Sequence, residues 1–177
     1  ELVATLAQDC ERLSIPIKLP SVNSPSFNFD VAGREIIFGF GGVKDVGSKA
    51  VASITKAAQD GPFKSLRDFC CRVDLFAVQK RVLENLIKVG ALDEIPGNRA
   101  QKLALINSTI KEAQEYQRSR NTGQLLLMES RGKHLDFPDR FDNDITISRV
   151  EQLVWEKELT GIYFSGHPRS EEHTSEL

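Results

Sequence analysis

Lys44, Asp45, Val46, Gly47, Ser48 and Lys49 bring together residue types that can grip an anion, inside the run GGVKDVGSKAVASI that starts at Gly41. Gly47 is expected to take the positive φ of a tight reversal. Ser48 reads as a helix N-cap, its hydroxyl accepting from a first-turn N–H. Ala50, Val51, Ile54 and Ala58 then recur at three- and four-residue steps, as one buried helix face does. The pattern predicts a helix N-terminus presented by a small hairpin. Free N–H groups around Val46, Gly47 and Ser48 would lie there, with a partial positive charge, beside Lys44 and Lys49. Those are the parts of a phosphate site.

This is the layout of a helix-hairpin-helix reader of the DNA backbone. The alternative is a helix start inside any small helical domain. Such hairpins commonly carry Gly-x-Gly, and Asp45 stands at the first of those positions. A carboxylate there repels phosphate and gives up a flexible backbone position. The expectation is therefore a reshaped hairpin or a weak contact.

Other chemistries find little support. Zinc spacing, a P-loop and a nucleophile triad are all missing from the sequence, and His134 and His167 stand isolated. Asp142-Asn143-Asp144 lies in a polar linker and reads as a solvated acidic loop rather than a metal site. Cys10, Cys70 and Cys71 lack CxxC spacing, which points to free thiols, buried or half-buried, in a reducing compartment. No apolar run approaches a membrane span, no secretory signal is seen, and a cytoplasmic location is expected.

The chain has 177 residues, 40% of them apolar, enough for one domain or two small ones. Formal net charge is −2, so the whole is no polycation. Residues 41–90 nevertheless hold nine Lys or Arg against five Asp or Glu, and any nucleic-acid argument rests on that excess.

Several elements must position the hairpin. Residues 1–13 read as the tail of an amphipathic helix with Leu2, Leu6, Cys10 and Leu13 on one face. Ser14 to Pro25 is extended and turn-rich. Residues 27–31 and 34–38 are strand-like around an Ala32-Gly33 turn. After the helix at 48–59, Ser65 to Val73 forms a short helix with Leu66, Phe69 and Cys70 inward. Asp74 to Val78 is a loop. Gln79 to Val89 is a helix with a Val82, Leu83, Leu86 and Ile87 stripe, closed by Gly90. Helix–loop–helix thus occurs twice. The second loop has no glycine and reads first as a packing partner for the first hairpin. Lys80, Arg81 and Lys88 are either a solvated face or an extension of the basic patch.

Asn98 caps a long helix, roughly Arg99 to Arg120, with a narrow Leu103, Ile106, Ile110 and Ala113 stripe. Its polar last turns are expected to project from the core. GQLLLMES is an isolated apolar patch in a polar linker. Ser148 and Glu151 form a capping box. They open a helix bearing Val150, Val154 and Trp155 that ends near Thr160-Gly161, and GIYFSGHP is strand- or turn-like.

In that order the pieces resemble the alpha subunits of bacterial DNA polymerase III, the replicative C-family polymerases, along residues 1–168. ERLSIPIKLPSVNSPSFNF is similar to the end of that family's fingers region. IIFGFGGVKDVGSKAV resembles its helix-hairpin-helix segment, usually built on an isoleucine-lysine-glycine-valine-glycine core. GPFKSLRDFC, KRVLENLIKVGALD and GNRAQKL follow in the family's order. WEKELTGIYFSGHP is similar to the approach to its oligonucleotide-binding fold.

The resemblance implies a mainly α fold with a small β-hairpin, in which a tandem helix-hairpin-helix domain is followed by a long helix and a linker. Residues 1–40 would end the fingers, 41–120 form the DNA-binding domain with its long helix, 121–146 a linker, and 147–168 the lead-in to the oligonucleotide-binding fold. Residues 169–177, RSEEHTSEL, equal the in-frame translation of a common sequencing adapter and are expected to be an artefact. Glu1 at the start, in place of Met, adds the expectation of a piece of something longer.

The implied partners are duplex primer–template DNA, the sliding clamp and other holoenzyme subunits, with no membrane partner. Within the linker, Gln124-Leu125-Leu126-Leu127-Met128 is similar to the family's clamp-docking peptide, with Gln124, Leu125, Leu127 and Met128 as its contacts. Met128 stands where an aromatic is more usual. The alternative is that these leucines pack on the preceding helix. The resemblance places nucleotidyl transfer and its magnesium-holding carboxylates in a palm upstream of Glu1, and no cofactor in this stretch. A translesion paralogue would share the same region, and a structural connector without DNA contact is the remaining alternative.

Overall fold

Glycine, aromatic and β-branched residues run together from Ile36 to Gly42, and they bring the chain out of a small sheet into the helical core. The computed structural model describes residues 2–121 and 139–164. The expected clamp peptide at 124–128, His134, His167 and the 169–177 tail lie outside the described residues. Six α-helices and a three-stranded sheet are present among the described residues: a mainly α fold, as expected.

Helix α1, Leu2–Arg12, leads to strand β1, Ile17–Lys18. Strands β2, Asp30–Ala32, and β3, Glu35–Ile37, form the antiparallel hairpin. Ala32 pairs with Glu35, so the turn is Gly33-Arg34, one residue later than expected, and Gly33 takes φ +65°. The sequence pattern missed β1, which pairs in parallel with β3 through Ile17 and Ile36. Two residues are too few to show a period of two. Phe38 and Phe40 leave this sheet for the core, and both are buried.

A 3-10 turn, Phe40–Gly42, precedes helix α2, Ser48–Ala58. Helix α2 buries Ala50, Val51, Ile54 and Ala57, whereas Ala58 lies at the edge of the core. Helix α3, Leu66–Arg72, buries Leu66, Phe69, Cys70 and Cys71. Ser65 caps it by accepting from the Asp68 N–H. Helix α4, Lys80–Val89, ends on Gly90 in the left-handed region at φ +90°. Helix α5, Arg99–Asn121, starts with a reciprocal cap: Asn98 Oδ1 accepts the Gln101 N–H, and Gln101 Oε1 accepts the Asn98 N–H, both at 2.8 Å. Helix α6, Arg149–Thr160, carries the expected Ser148–Glu151 capping box and stops at Gly161.

Helix α5 packs on α3 and α4, and α4 packs on α6. One expectation about these helices needs correction. The C-terminal half of α5 does not leave the core early. Gln117 Nε2 donates to the carbonyls of Cys70, Cys71 and Val73 at 2.9–3.2 Å, closing the end of α3. Helix α6 leaves Val150 and Val154 exposed and buries Leu153, Glu156 and Leu159. The last described residues, 161–164, form no strand. Instead Phe164 packs edge-on against Phe38, with ring centroids 5.1 Å apart.

Candidate nucleic-acid interface

The hairpin expected at Lys44–Lys49 forms, with its strained residue in a different place. Gly47 has φ −87° and ψ 164°, ordinary extended backbone, and it is the N-cap residue of α2. Ser48 is the first helical residue, and no side chain caps this helix. The positive φ falls on Asp45, at +65°. Aspartate tolerates the left-handed region better than most residues, because its short carboxylate can bond locally. The turn that a glycine would make is therefore kept by Asp45.

Neighbouring helices hold this turn from both sides. The Lys44 N–H donates to the Leu159 carbonyl of α6 at 2.9 Å. The Lys44 carbonyl accepts from Asn85 Nδ2 of α4 at 2.8 Å. The Asp45 carboxylate accepts from Arg81 Nε at 2.9 Å and, more weakly, from Asn85 Nδ2 at 3.4 Å. Its charge is thus partly neutralised within the protein. The Asp45–Arg81 pair is largely exposed, so it adds only about 0–1 kcal/mol to stability. Asn85, by contrast, is buried.

What the turn presents is a set of donors. Val46 is buried, and its N–H bonds back to the Val43 carbonyl, so it is not among them. Gly47, Ser48 and Lys49 are exposed, and their N–H groups have no acceptor among the described residues. They form the free first turn of α2, with no acidic residue in it. The exposed Lys44 and Lys49 side chains flank them. An anion set against this turn would meet three amide donors and two ammonium groups.

The second helix–loop–helix supports the first. Arg81 and Asn85 of α4 reach the hairpin directly, as a packing partner does. Its loop is fixed by Asp74, whose N–H donates to Ser53 Oγ of α2 and whose carboxylate and carbonyl accept N–H groups of residues 76–78. Lys80 pairs with Glu84, and Lys88 lies over the Trp155 ring. Asn85 sits on the apolar side of α4 between Leu83 and Leu86. A lone amide on a buried stripe was the available signal for a side chain holding a neighbouring backbone.

Behind α4 a buried charge cluster ties α6 to the domain. Arg99 donates to Asp93, to the Lys88 carbonyl and to Glu156, the last at 3.0 Å. Glu156 is fully buried, and its other oxygen accepts the Phe164 N–H at 3.0 Å. Burial pulls the Arg99 pKa down, but Asp93 and Glu156 together outweigh that and leave it raised. Asp139 lies in the stretch read as linker, yet its carboxylate accepts the N–H groups of Leu66 and Arg67 at the start of α3. Asp142 stays in a turn, bonding the Asp144 N–H and accepting from Gln101. No group of three or more metal-ligating side chains converges among the described residues. None of the described helices is long and apolar enough to cross a membrane.

A family model described as a helix-hairpin-helix motif matches residues 14–102. The chain is 36% identical to a DNA polymerase III subunit alpha of Pseudomonas fluorescens, over 96% of its own length and 16% of that protein's. It is 38% identical to the corresponding subunit of Thermus aquaticus over 94% of itself and 13% of that protein. It is likewise 38% identical to that of Bacillus subtilis, over 88% of itself and 14% of that protein. The chain therefore spans about a seventh of the length of these relatives.

Proposed function

The chain belongs to the helix-hairpin-helix family, and from that premise we propose that it is the duplex-holding section of a replicative DNA polymerase alpha subunit. The hairpin at Lys44–Lys49 grips phosphates of primer–template DNA without reading sequence. The observation that carries this is the free first turn of α2, three amides between two lysines, kept in shape by Asp45 at φ +65°. Phosphate contacts of this kind position a duplex and carry no base information. Nucleotidyl transfer and the magnesium it uses belong, in this reading, to the rest of the longer protein. Chemical-shift mapping with a short duplex tests the site: the amides of Gly47, Ser48 and Lys49 should move first. Shifts confined to other surfaces would contradict it.

A sequence feature favours a second contact. Gln124, Leu125, Leu127 and Met128 dock on the sliding clamp, a polar residue orienting the peptide while apolar side chains fill a pocket. Tethering of this kind raises the effective concentration of the polymerase on DNA. Changing Leu127 and Met128 to Ala should abolish clamp pull-down, and unchanged capture would remove this contact.

A further inference from the structure

We propose that Arg81 is itself a phosphate contact of the duplex interface, and that Asp45 is the positioning residue that holds it there. The inference rests on the duplex-holding reading above and adds a residue from the second helix–loop–helix to it.

The geometry is that of an oriented fork. Arg81 stands in the first turn of α4, with a side chain 71% exposed. Asp45 takes its Nε–H at 2.9 Å. The four remaining guanidinium N–H groups, on Nη1 and Nη2, have no acceptor among the described residues. A guanidinium offers five donors in one plane, and pinning one fixes the direction of the others. Asp45 is itself fixed by its turn and by Asn85, which also holds the neighbouring Lys44 carbonyl. The remaining donors of Arg81 are thereby held at the Asp45 turn, two residues ahead of Gly47, where the free N–H groups of α2 begin. Charge around the groove is mixed, since Glu84 and Glu158 line it with Lys44, Lys80 and Lys88. Glu84 is already paired with Lys80. Paired forks suit phosphate oxygens better than a point charge does.

Asp45 therefore exerts two opposed effects, repelling phosphate directly and orienting a cation toward it. The full chain and its Asp45→Asn, Arg81→Gln and doubly substituted variants, titrated with one duplex across a salt series, separate the two effects. Matching circular dichroism and melting curves keep the variants comparable. Arg81→Gln should make the log–log salt slope shallower by about 0.9, the loss of one phosphate contact. Asp45→Asn should tighten binding less with Arg81 present than in the Arg81→Gln background. Arg81→Lys should restore the slope without restoring that coupling.

An unchanged slope in Arg81→Gln overturns the proposal. So does an Asp45→Asn gain that is equal in the two backgrounds. A gain that is larger with Arg81 present also overturns it, because the carboxylate would then be sequestering the guanidinium. Absence of salt-dependent binding by the unsubstituted chain is a separate failure, and it removes the duplex-holding reading itself.

Discussion

Glu156→Ala should be among the most damaging single changes in this chain. Glu156 is fully buried and accepts from Arg99 Nη1 and from the Phe164 N–H, each at 3.0 Å. Breaking a buried ion pair by removing one partner costs about 3–5 kcal/mol. Here the lower end applies, since Arg99 keeps Asp93, at 2.7–3.1 Å. About 3 kcal/mol would be a large share of the roughly 5–15 kcal/mol that holds an ordinary domain folded. At about 2–4 °C per kcal/mol for a chain of this size, the melting midpoint should fall by about 6–12 °C. Glu156→Gln keeps an acceptor and should cost less, about 1–2 kcal/mol. Urea unfolding monitored by circular dichroism measures both. Amide exchange adds a site-specific reading: the Lys44 N–H, bonded to Leu159 of the same helix, should exchange faster in the Ala variant. A loss below about 1 kcal/mol would refute the claim that this pair fastens α6 to the domain.

Three further outcomes follow from buried groups. Lys102 is buried, with its Nζ bonded to the Leu92 carbonyl, and burial holds its pKa below the ordinary 10.5. The unfolded chain then binds the proton more tightly, so the penalty is fully present below the folded pKa and disappears as pH rises toward 10.5. Wild-type stability should gain on that of Lys102→Met as pH climbs through that window in paired urea titrations. Burial pushes the Cys71 thiol up to about 11 and Cys70 higher still, so with a thiol reagent at pH 8 only the half-buried Cys10 should react quickly, and all three in denaturant. Gly90→Ala places a methyl against the Arg99 guanidinium in a left-handed turn and should cost about 2 kcal/mol or more by the same urea assay.

Local signals were read well from the sequence, and those that depend on a distant partner were not. Asn98 and the Ser148–Glu151 box announce helix starts through bonds within three residues, and each stands where expected. Gly90 announces an end in the same way. On α6 the inward face carries Glu156, which reaches Arg99, 57 residues away, a contact that no local pattern announces. Helix α5 likewise buries Arg99, Lys102 and Thr109 beside Ile106 and Ala113, a face that apolar periodicity hides. At the hairpin, the residue types were legible and the backbone assignment was not. Glycine at 47 suggested the strained position, but the chain reverses at Asp45, where bonds from α4 and α6 hold the turn. Nothing within a few residues of Asp45 could disclose Arg81 and Asn85 as its partners.

The central claim is that the Lys44–Lys49 turn grips DNA backbone, and duplex binding by the whole chain across a salt series tests it most directly. Two to four phosphate contacts predict a log–log slope of roughly −2 to −4, lost when Lys44 and Lys49 are both changed to Glu. A folded chain that shows no salt-dependent binding, or whose slope survives both substitutions, would contradict it.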